Sequence, residues 1–160
     1  MKKVIDNIYV GTTEDCFHEM KKGWAVVHAC KHPCHKSAVG YEKNIQKTHK
    51  HYLTFINGKH LYLNMIDTYS SFFPFELFEV SMRFISSFHK KGINVLVHCN
   101  KGLSRSPSLI LLYLAKETDL ITNSEYDLAR EDFYNLCPTH LPRIGIDNFL
   151  RENWKKLLDK

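Results

Sequence analysis

The 160-residue chain predicts an α/β fold, with a central, mostly parallel sheet flanked by helices. Three observations carry that expectation. Short β-rich runs alternate with longer stretches of helical period. The run Ile93–His98 reads Ile-Asn-Val-Leu-Val-His, apolar enough for a central buried strand. A largely apolar helix, Arg105–Glu117, follows it after a short loop and carries Pro107 near its first turn, where proline is tolerated.

The elements follow in order. Ile5–Val10 reads as an opening strand ended by Gly11. Thr13–Lys22 is expected to form a helix stopped by Gly23. Trp24–Ala29 reads as a buried strand. The stretch from Cys30 to Lys59 is polar, rich in His and Lys and without a period, so it is expected to be a long surface excursion. Leu61–Ile66 reads as a strand. Phe75–Lys91 has Leu77, Val80, Phe84, Ile85 and Phe88 at helical spacing, closed by Gly92. Thr122-Asn123-Ser124-Glu125 has the pattern of a capping box, opening a helix that ends before Pro138. Ile146–Leu158 is the last helix. With no repeat, low-complexity tract or linker, one domain spanning 1–160 is expected.

Composition narrows the class. Apolar residues make up 44% and charged residues 24%, as in soluble globular proteins. No apolar run is long enough to span a bilayer, and the polar start Met1-Lys2-Lys3 does not read as an export signal. Five cysteines, an odd number without a regular framework, are expected to be reduced thiols in a cytoplasm. The net charge of +5 suits an anionic substrate. Its basic residues are scattered rather than striped, which argues against nucleic acid. Oligomeric state is not legible.

The chemistry concentrates at His98-Cys99-Asn100-Lys101-Gly102-Leu103-Ser104-Arg105-Ser106. The strand delivers Cys99 to its C-terminal end, where open α/β sheets bind ligands. The loop Asn100–Ser104 leads into a helix N-terminus, whose free N–H groups and dipole favour an anion. Gly102 lets the backbone curl. Lys101 either steers an anion or is a solvated side chain. Arg105 offers a planar fork to two phosphate oxygens. A thiolate on Cys99 would sit in this positive field as a nucleophile.

Cysteine, five residues, then arginine resembles the signature of the protein tyrosine phosphatases, and the fuller pattern Val97-His98-Cys99 through Arg105-Ser106 resembles their dual-specificity branch. Ile8-Tyr9-Val10-Gly11, Tyr113-Leu114-Ala115 and Pro142–Leu150 are similar to other segments of that family, and His28–His35 resembles a small bacterial and phage subgroup. The resemblance implies a phosphotyrosine phosphatase-like fold and hydrolysis of phosphotyrosine, and of phosphoserine or phosphothreonine, in phosphorylated proteins. It implies Cys99 as nucleophile, Arg105 and the residues Asn100 to Ser104 as phosphate ligands, and Ser106 as the hydroxyl supporting the thiolate leaving group. His98 would brace the loop from behind. The family's general acid lies on a loop upstream of the nucleophile. Asp67 stands 32 residues before Cys99, directly after an expected strand, with no other carboxylate between Glu42 and Glu76. No metal or other cofactor is implied. Some relatives carry a cysteine at a strand end resembling Val27-His28-Ala29-Cys30 that forms a reversible disulfide with the nucleophile, which makes Cys30 a candidate redox partner of Cys99.

Other readings stay open. Phosphoinositide and RNA 5′-phosphatases share the loop, but the lipid enzymes commonly add basic residues inside it, where only Lys101 is basic here. RNA phosphatases commonly have Asn-Arg-Thr in place of Ser104-Arg105-Ser106. A non-catalytic phospho-binding module is the reading from another class, and intact Cys99, Arg105 and Asp67 argue against it. Phe72 and Phe73 either line the pocket mouth or pack under the next helix. His28, Cys30, His32, Cys34 and His35 are zinc-ligand residue types, but their spacing matches no standard finger, so hydrogen-bonded loop residues are the favoured reading.

Overall fold

A computed structural model describes residues 1–159, and these begin with a hairpin. Strands β1 (Lys2–Ile5) and β2 (Ile8–Gly11) pair antiparallel around Asn7, whose φ of 61° is a left-handed conformation that asparagine tolerates. After β3 (Trp24–His28), an irregular turn at Lys31–His35, closed by the His35 N–H donating to Cys30 O at 3.1 Å, runs into the short α1 (Lys36–Val39). Then come β4 (Thr54–Asn57), β5 (His60–Leu63), α2 (Phe75–His89), β6 (Asn94–His98), α3 (Arg105–Glu117), α4 (Tyr126–Leu136) and α5 (Ile144–Asp159).

The six strands form one sheet in the order β1-β2-β6-β3-β5-β4. The four inner strands run parallel and the two edge strands antiparallel. β6 lies between β2 and β3 with Val95, Leu96 and Val97 fully buried, as its unbroken apolar run requires. α3 is buried along nearly its whole length because sheet and helices enclose it. Its N-terminus therefore stays fixed above the C-terminal end of β6. Among the described residues no helix is long and apolar enough to cross a membrane.

Four expectations need correction. Thr13–Lys22 is not helical. The Asp15 carboxylate accepts the Thr12 N–H at 2.9 Å and its hydroxyl at 3.3 Å, which closes a turn in place of a helix start. Phe17 then packs edge-on against Trp24 and His60, so tertiary contacts override the local pattern. The polar stretch 30–59 is not a simple surface excursion: Cys30, Cys34 and His35 are buried in it. It also contains β4, joined to β5 by the two-residue turn Gly58-Lys59. The strand expected to run to Ile66 ends at Leu63. The capping box at Thr122–Glu125 does not form. The Thr122 N–H goes to Asp132 Oδ2 at 2.8 Å, and the helix starts one turn later at Tyr126.

Candidate active site

Cys99 follows β6 directly and is 2% exposed. The loop after it is seated on the end of β2: Cys99 N–H points at Gly11 O (3.4 Å), and Thr13 donates from its N–H and hydroxyl to Asn100 O at 3.5 and 3.4 Å. Gly102 has φ +69°, and a Cβ there would meet Gly11 O at 2.9 Å. Only glycine satisfies both the left-handed backbone and the close approach. Among the described residues, no backbone N–H from Asn100 to Ser104 finds a protein acceptor. Successive free donors of this kind make an anion cradle.

Arg105, the first residue of α3, is anchored from behind. Its Nη1 donates to Ala29 O at 3.0 Å and Met65 O at 2.9 Å, and its Nη2 to Asn100 Oδ1 at 2.7 Å. Nε is buried and makes no hydrogen bond. A buried donor left unpaired is costly unless a ligand takes it. Asn100 is itself held, its Nδ2 donating to His32 O at 3.0 Å. Ser106 Oγ donates to Cys99 Sγ at 3.2 Å.

Asp67 sits in the segment after β5 and faces the loop. Ser104 Oγ donates to Asp67 Oδ1 at 3.0 Å, and the same oxygen accepts the Arg143 N–H at 3.0 Å. Asp67 Oδ2 lies 3.9 Å from Arg105 Nε and 3.6 Å from Arg143 Nε. Asp67, Cys99, Asn100, Lys101, Leu103, Ser104, Arg105, Leu141, Pro142 and Arg143 line one cavity of about 370 Å³. A larger cavity of about 810 Å³ lies against α2 and α3, with Phe78, Arg83 and Lys116 among its walls, and contains none of these groups.

Cys99, Arg105, Asp67, Ser104 and Ser106 thus converge. His98 is fully buried, and its Nε2 lies 2.8 Å from His28 Nδ1 while its Nδ1 is unpartnered. Lys101 is exposed at the rim. Phe73 is buried against Phe78 and Phe149, whereas Phe72 is 91% exposed. Cys30 lies in a small buried cluster with Cys34 and Tyr62, and Cys99 lies in the main core. Arg143 and Gly145 were not foreseen, and no local pattern marks either. Arg143 stacks on Tyr69, 5.6 Å from the ring centre. A Cβ on Gly145 would meet Thr68 O at 2.1 Å and Ser70 O at 2.5 Å, so the start of α5 is pressed against the loop that carries Asp67.

The family model for the dual specificity phosphatase catalytic domain matches residues 24–142. The tyrosine-protein phosphatase yvh1 of Schizosaccharomyces pombe is 35% identical over 94 residues, 59% of this chain and 26% of that protein. Human dual specificity protein phosphatase 6 is 35% identical over 69 residues, 43% of this chain and 17% of that protein. The matched stretches therefore cover well under a third of each relative. The crystal structure of the human tyrosine phosphatase-like serine/threonine/tyrosine-interacting protein superposes with a TM-score of 0.66 at 19% identity, covering 98% of this chain and 96% of that one. PTPMT1 in complex with PI(5)P superposes with a TM-score of 0.64 at 16% identity, covering 99% of this chain and 96% of that one. At such identities the likeness is one of fold. Because the family model spans most of the sequence, the chain belongs to the dual specificity phosphatase catalytic-domain family.

Proposed function

We propose that the chain is a phosphomonoester hydrolase acting through a phosphocysteine on Cys99. The observation that carries this reading is the convergence on one cavity of Cys99, an Arg105 Nε free of hydrogen bonds, free loop amides and Asp67. Cys99 Sγ attacks phosphorus, while Arg105 and the amides from Asn100 to Ser104 hold the equatorial oxygens. Asp67, in its acid form, gives its proton to the leaving oxygen. Asp67, now a carboxylate, takes a proton from the water that attacks the phosphocysteine, and the thiolate leaves into the hydrogen bond of Ser106. His98 holds the strand end behind the loop.

Phosphotyrosine, and phosphoserine or phosphothreonine, in a phosphorylated protein are the favoured substrates, in a one-domain cytoplasmic enzyme. The loop's single basic residue, Lys101, supports that choice. A second reading keeps the chemistry and changes the substrate to a phosphoinositide. Arg143 favours it, since it adds a cation at the cavity wall that the loop sequence does not contain, and the fold resembles PTPMT1 in complex with PI(5)P. Side-by-side turnover of a phosphotyrosine peptide, a phosphothreonine peptide, a phosphoinositide and a 5′-triphosphorylated RNA tests both. The expected ranking puts the phosphotyrosine peptide first, and preferential turnover of the lipid selects the second reading. Absence of turnover on all four, with tight vanadate binding retained, would leave a binding module.

A further inference from the structure

Behind the nucleophile loop lies a second concentration of reactive side chains. Cys16 Sγ is 3.9 Å from Cys34 Sγ, 3.3 Å from His28 Nδ1 and 3.5 Å from His18 Nε2. The donor atoms of all four residues lie within 4.8 Å of one another. We propose that Cys16, His18, His28 and Cys34 form a tetrahedral site for a divalent transition-metal ion, zinc by ligand type. Two thiolates and two imidazoles are a soft donor set that suits zinc and does not suit magnesium or calcium.

The separations fit the ion. Zinc lies about 2.3 Å from sulfur and about 2.0 Å from imidazole nitrogen, which in a regular tetrahedron sets sulfurs about 3.8 Å apart and sulfur and nitrogen about 3.5 Å apart. The second ring nitrogen of each imidazole is already engaged. His28 Nε2 meets His60 Nδ1 at 3.0 Å, and His18 Nδ1 meets the Tyr62 hydroxyl at 3.3 Å. Such outer partners fix the tautomer that turns the other nitrogen to a metal. His98 Nε2, 3.9 Å from Cys34 Sγ, is placed to donate to that thiolate once the ion occupies His28 Nδ1. Binding converts two thiols to thiolates and releases their protons to solvent.

Sequence spacing hid this site because two ligands come from the segment expected to be helical. Of the residue types weighed for zinc, two are excluded. His32 is exposed, and His35 spends both ring nitrogens on the Tyr41 hydroxyl at 3.1 Å and His51 O at 3.0 Å. Cys30 and His98 form a three-donor set with Cys34. We assign the ion to the other set because it offers four ligands with the outer partners in place. The ion would tie the loop after β2, the end of β3 and the turn at Lys31–His35 together directly behind His98. Apolar packing there is confined to a small cluster around Cys30, Cys34 and Tyr62.

The test is metal analysis of the whole chain purified without chelator, followed by cobalt(II) substitution. An equimolar amount of zinc is expected, as are cobalt absorption bands of tetrahedral intensity with a thiolate charge-transfer band. Cys34→Ser and His18→Ala should lose them, and His18 is exposed, so the second variant does not threaten the fold. Cys99→Ser and Cys137→Ser should keep them. Chelation should lower the melting temperature of the parent and leave that of His18→Ala unchanged. Retention of the bands in both ligand variants, their loss in Cys99→Ser, or their loss in Cys30→Ser with retention in His18→Ala overturns the assignment. So does a Cys16–Cys34 disulfide in protein prepared under reducing conditions.

Discussion

The hydroxyl of Ser104 donates to Asp67 Oδ1 at 3.0 Å, so a side chain of the phosphate loop holds the residue proposed as general acid. Ser104 Oγ in turn accepts the Arg143 N–H at 3.0 Å, which fixes the hydroxyl in place. Asp67→Asn should lower kcat by about 10²–10⁴ on an alkyl phosphate, the usual range for a lost general acid. Ser104→Ala should cost about tenfold, the worth of a hydrogen bond to a charged group near 1.5 kcal/mol. Both losses should shrink on an aryl phosphate with a good leaving group, which needs no proton. Equal losses on the two substrates would remove Asp67 from the acid role.

Cys99→Ser should abolish multiple turnover and leave vanadate or phosphate binding largely intact, since the free amides and Arg105 remain. Arg105→Lys should be nearly as severe. An ammonium cannot both satisfy Ala29 O, Met65 O and Asn100 Oδ1 and still present a donor to phosphate. Calorimetric titration with phosphate beside a turnover assay separates the two variants. Measurable multiple turnover by Cys99→Ser would end the nucleophile assignment.

Gly145→Ala tests the seat of the acid loop. The added Cβ would sit 2.1 Å from Thr68 O and 2.5 Å from Ser70 O, and backbone atoms cannot give way as a flexible side chain does. Displacement of the loop should lower kcat on alkyl phosphates and cost about 1–3 kcal/mol of stability. The Asp67→Asn, Gly145→Ala double variant should then lose little more activity than Asp67→Asn alone. Multiplicative losses would show that Gly145 acts elsewhere.

Where the sequence was legible, one local pattern determined the outcome. Ile93–His98 and Arg105–Glu117 could hardly be anything but a buried strand and a buried helix, and between them they position Cys99 and Arg105. Thr13–Lys22, with Gly23 as its expected stop, is not a helix because its side chains are used elsewhere. Asp15 bonds Thr12, Phe17 reaches Trp24, and Cys16 and His18 reach His28. The β4–β5 hairpin did carry a signal, Gly58, which takes the first position of the two-residue turn with a φ of 58°. Arg143 and Gly145 carried none, because their importance comes from the docking of α5 against a loop distant in sequence.

His140 gives the fold an acid limit. It is buried, lies 3.1 Å from Ser108 Oγ through Nε2, and packs edge-on against Phe133. Burial first, and then the charge of Arg130, push its pKa from 6.5 to about 4. The fold therefore favours the neutral ring. Its contribution is intact above the unfolded value of 6.5 and is lost as pH falls from there towards 4. At about 1.4 kcal/mol per pKa unit, the loss approaches roughly 3 kcal/mol. His140→Gln keeps a partner for Ser108 and removes the titration, so its melting temperature should fall less than the parent's between pH 7 and pH 4.5. Parallel falls would assign the acid sensitivity to other groups.

Cys30 is proposed as the thiol that rescues an oxidised nucleophile, and the pairing requires the segment after β3 to shift, because the strand register sets Ala29 rather than Cys30 level with Cys99. His28 pairs with His98 across β3 and β6, Ala29 N–H donates to His98 O at 2.8 Å, and Cys30 lies one residue further on, in the separate buried cluster with Cys34 and Tyr62. Arg105 binds Ala29 O and, after a hydrogen bond with Cys34 and the charge of His98, is among the groups that lower the Cys30 pKa. Mild peroxide should convert Cys99 to a sulfenic acid, and attack by Cys30 then forms the disulfide and releases water. Peptide mapping without reduction should find Cys30 joined to Cys99. Parent enzyme should regain activity with a thiol reductant after an exposure that leaves Cys30→Ser irreversibly inactive. The competing outcome is a bond between Cys30 and Cys34, which share a buried cluster. If mapping finds that bond and Cys30→Ser recovers as well as the parent, Cys30 does not protect the nucleophile.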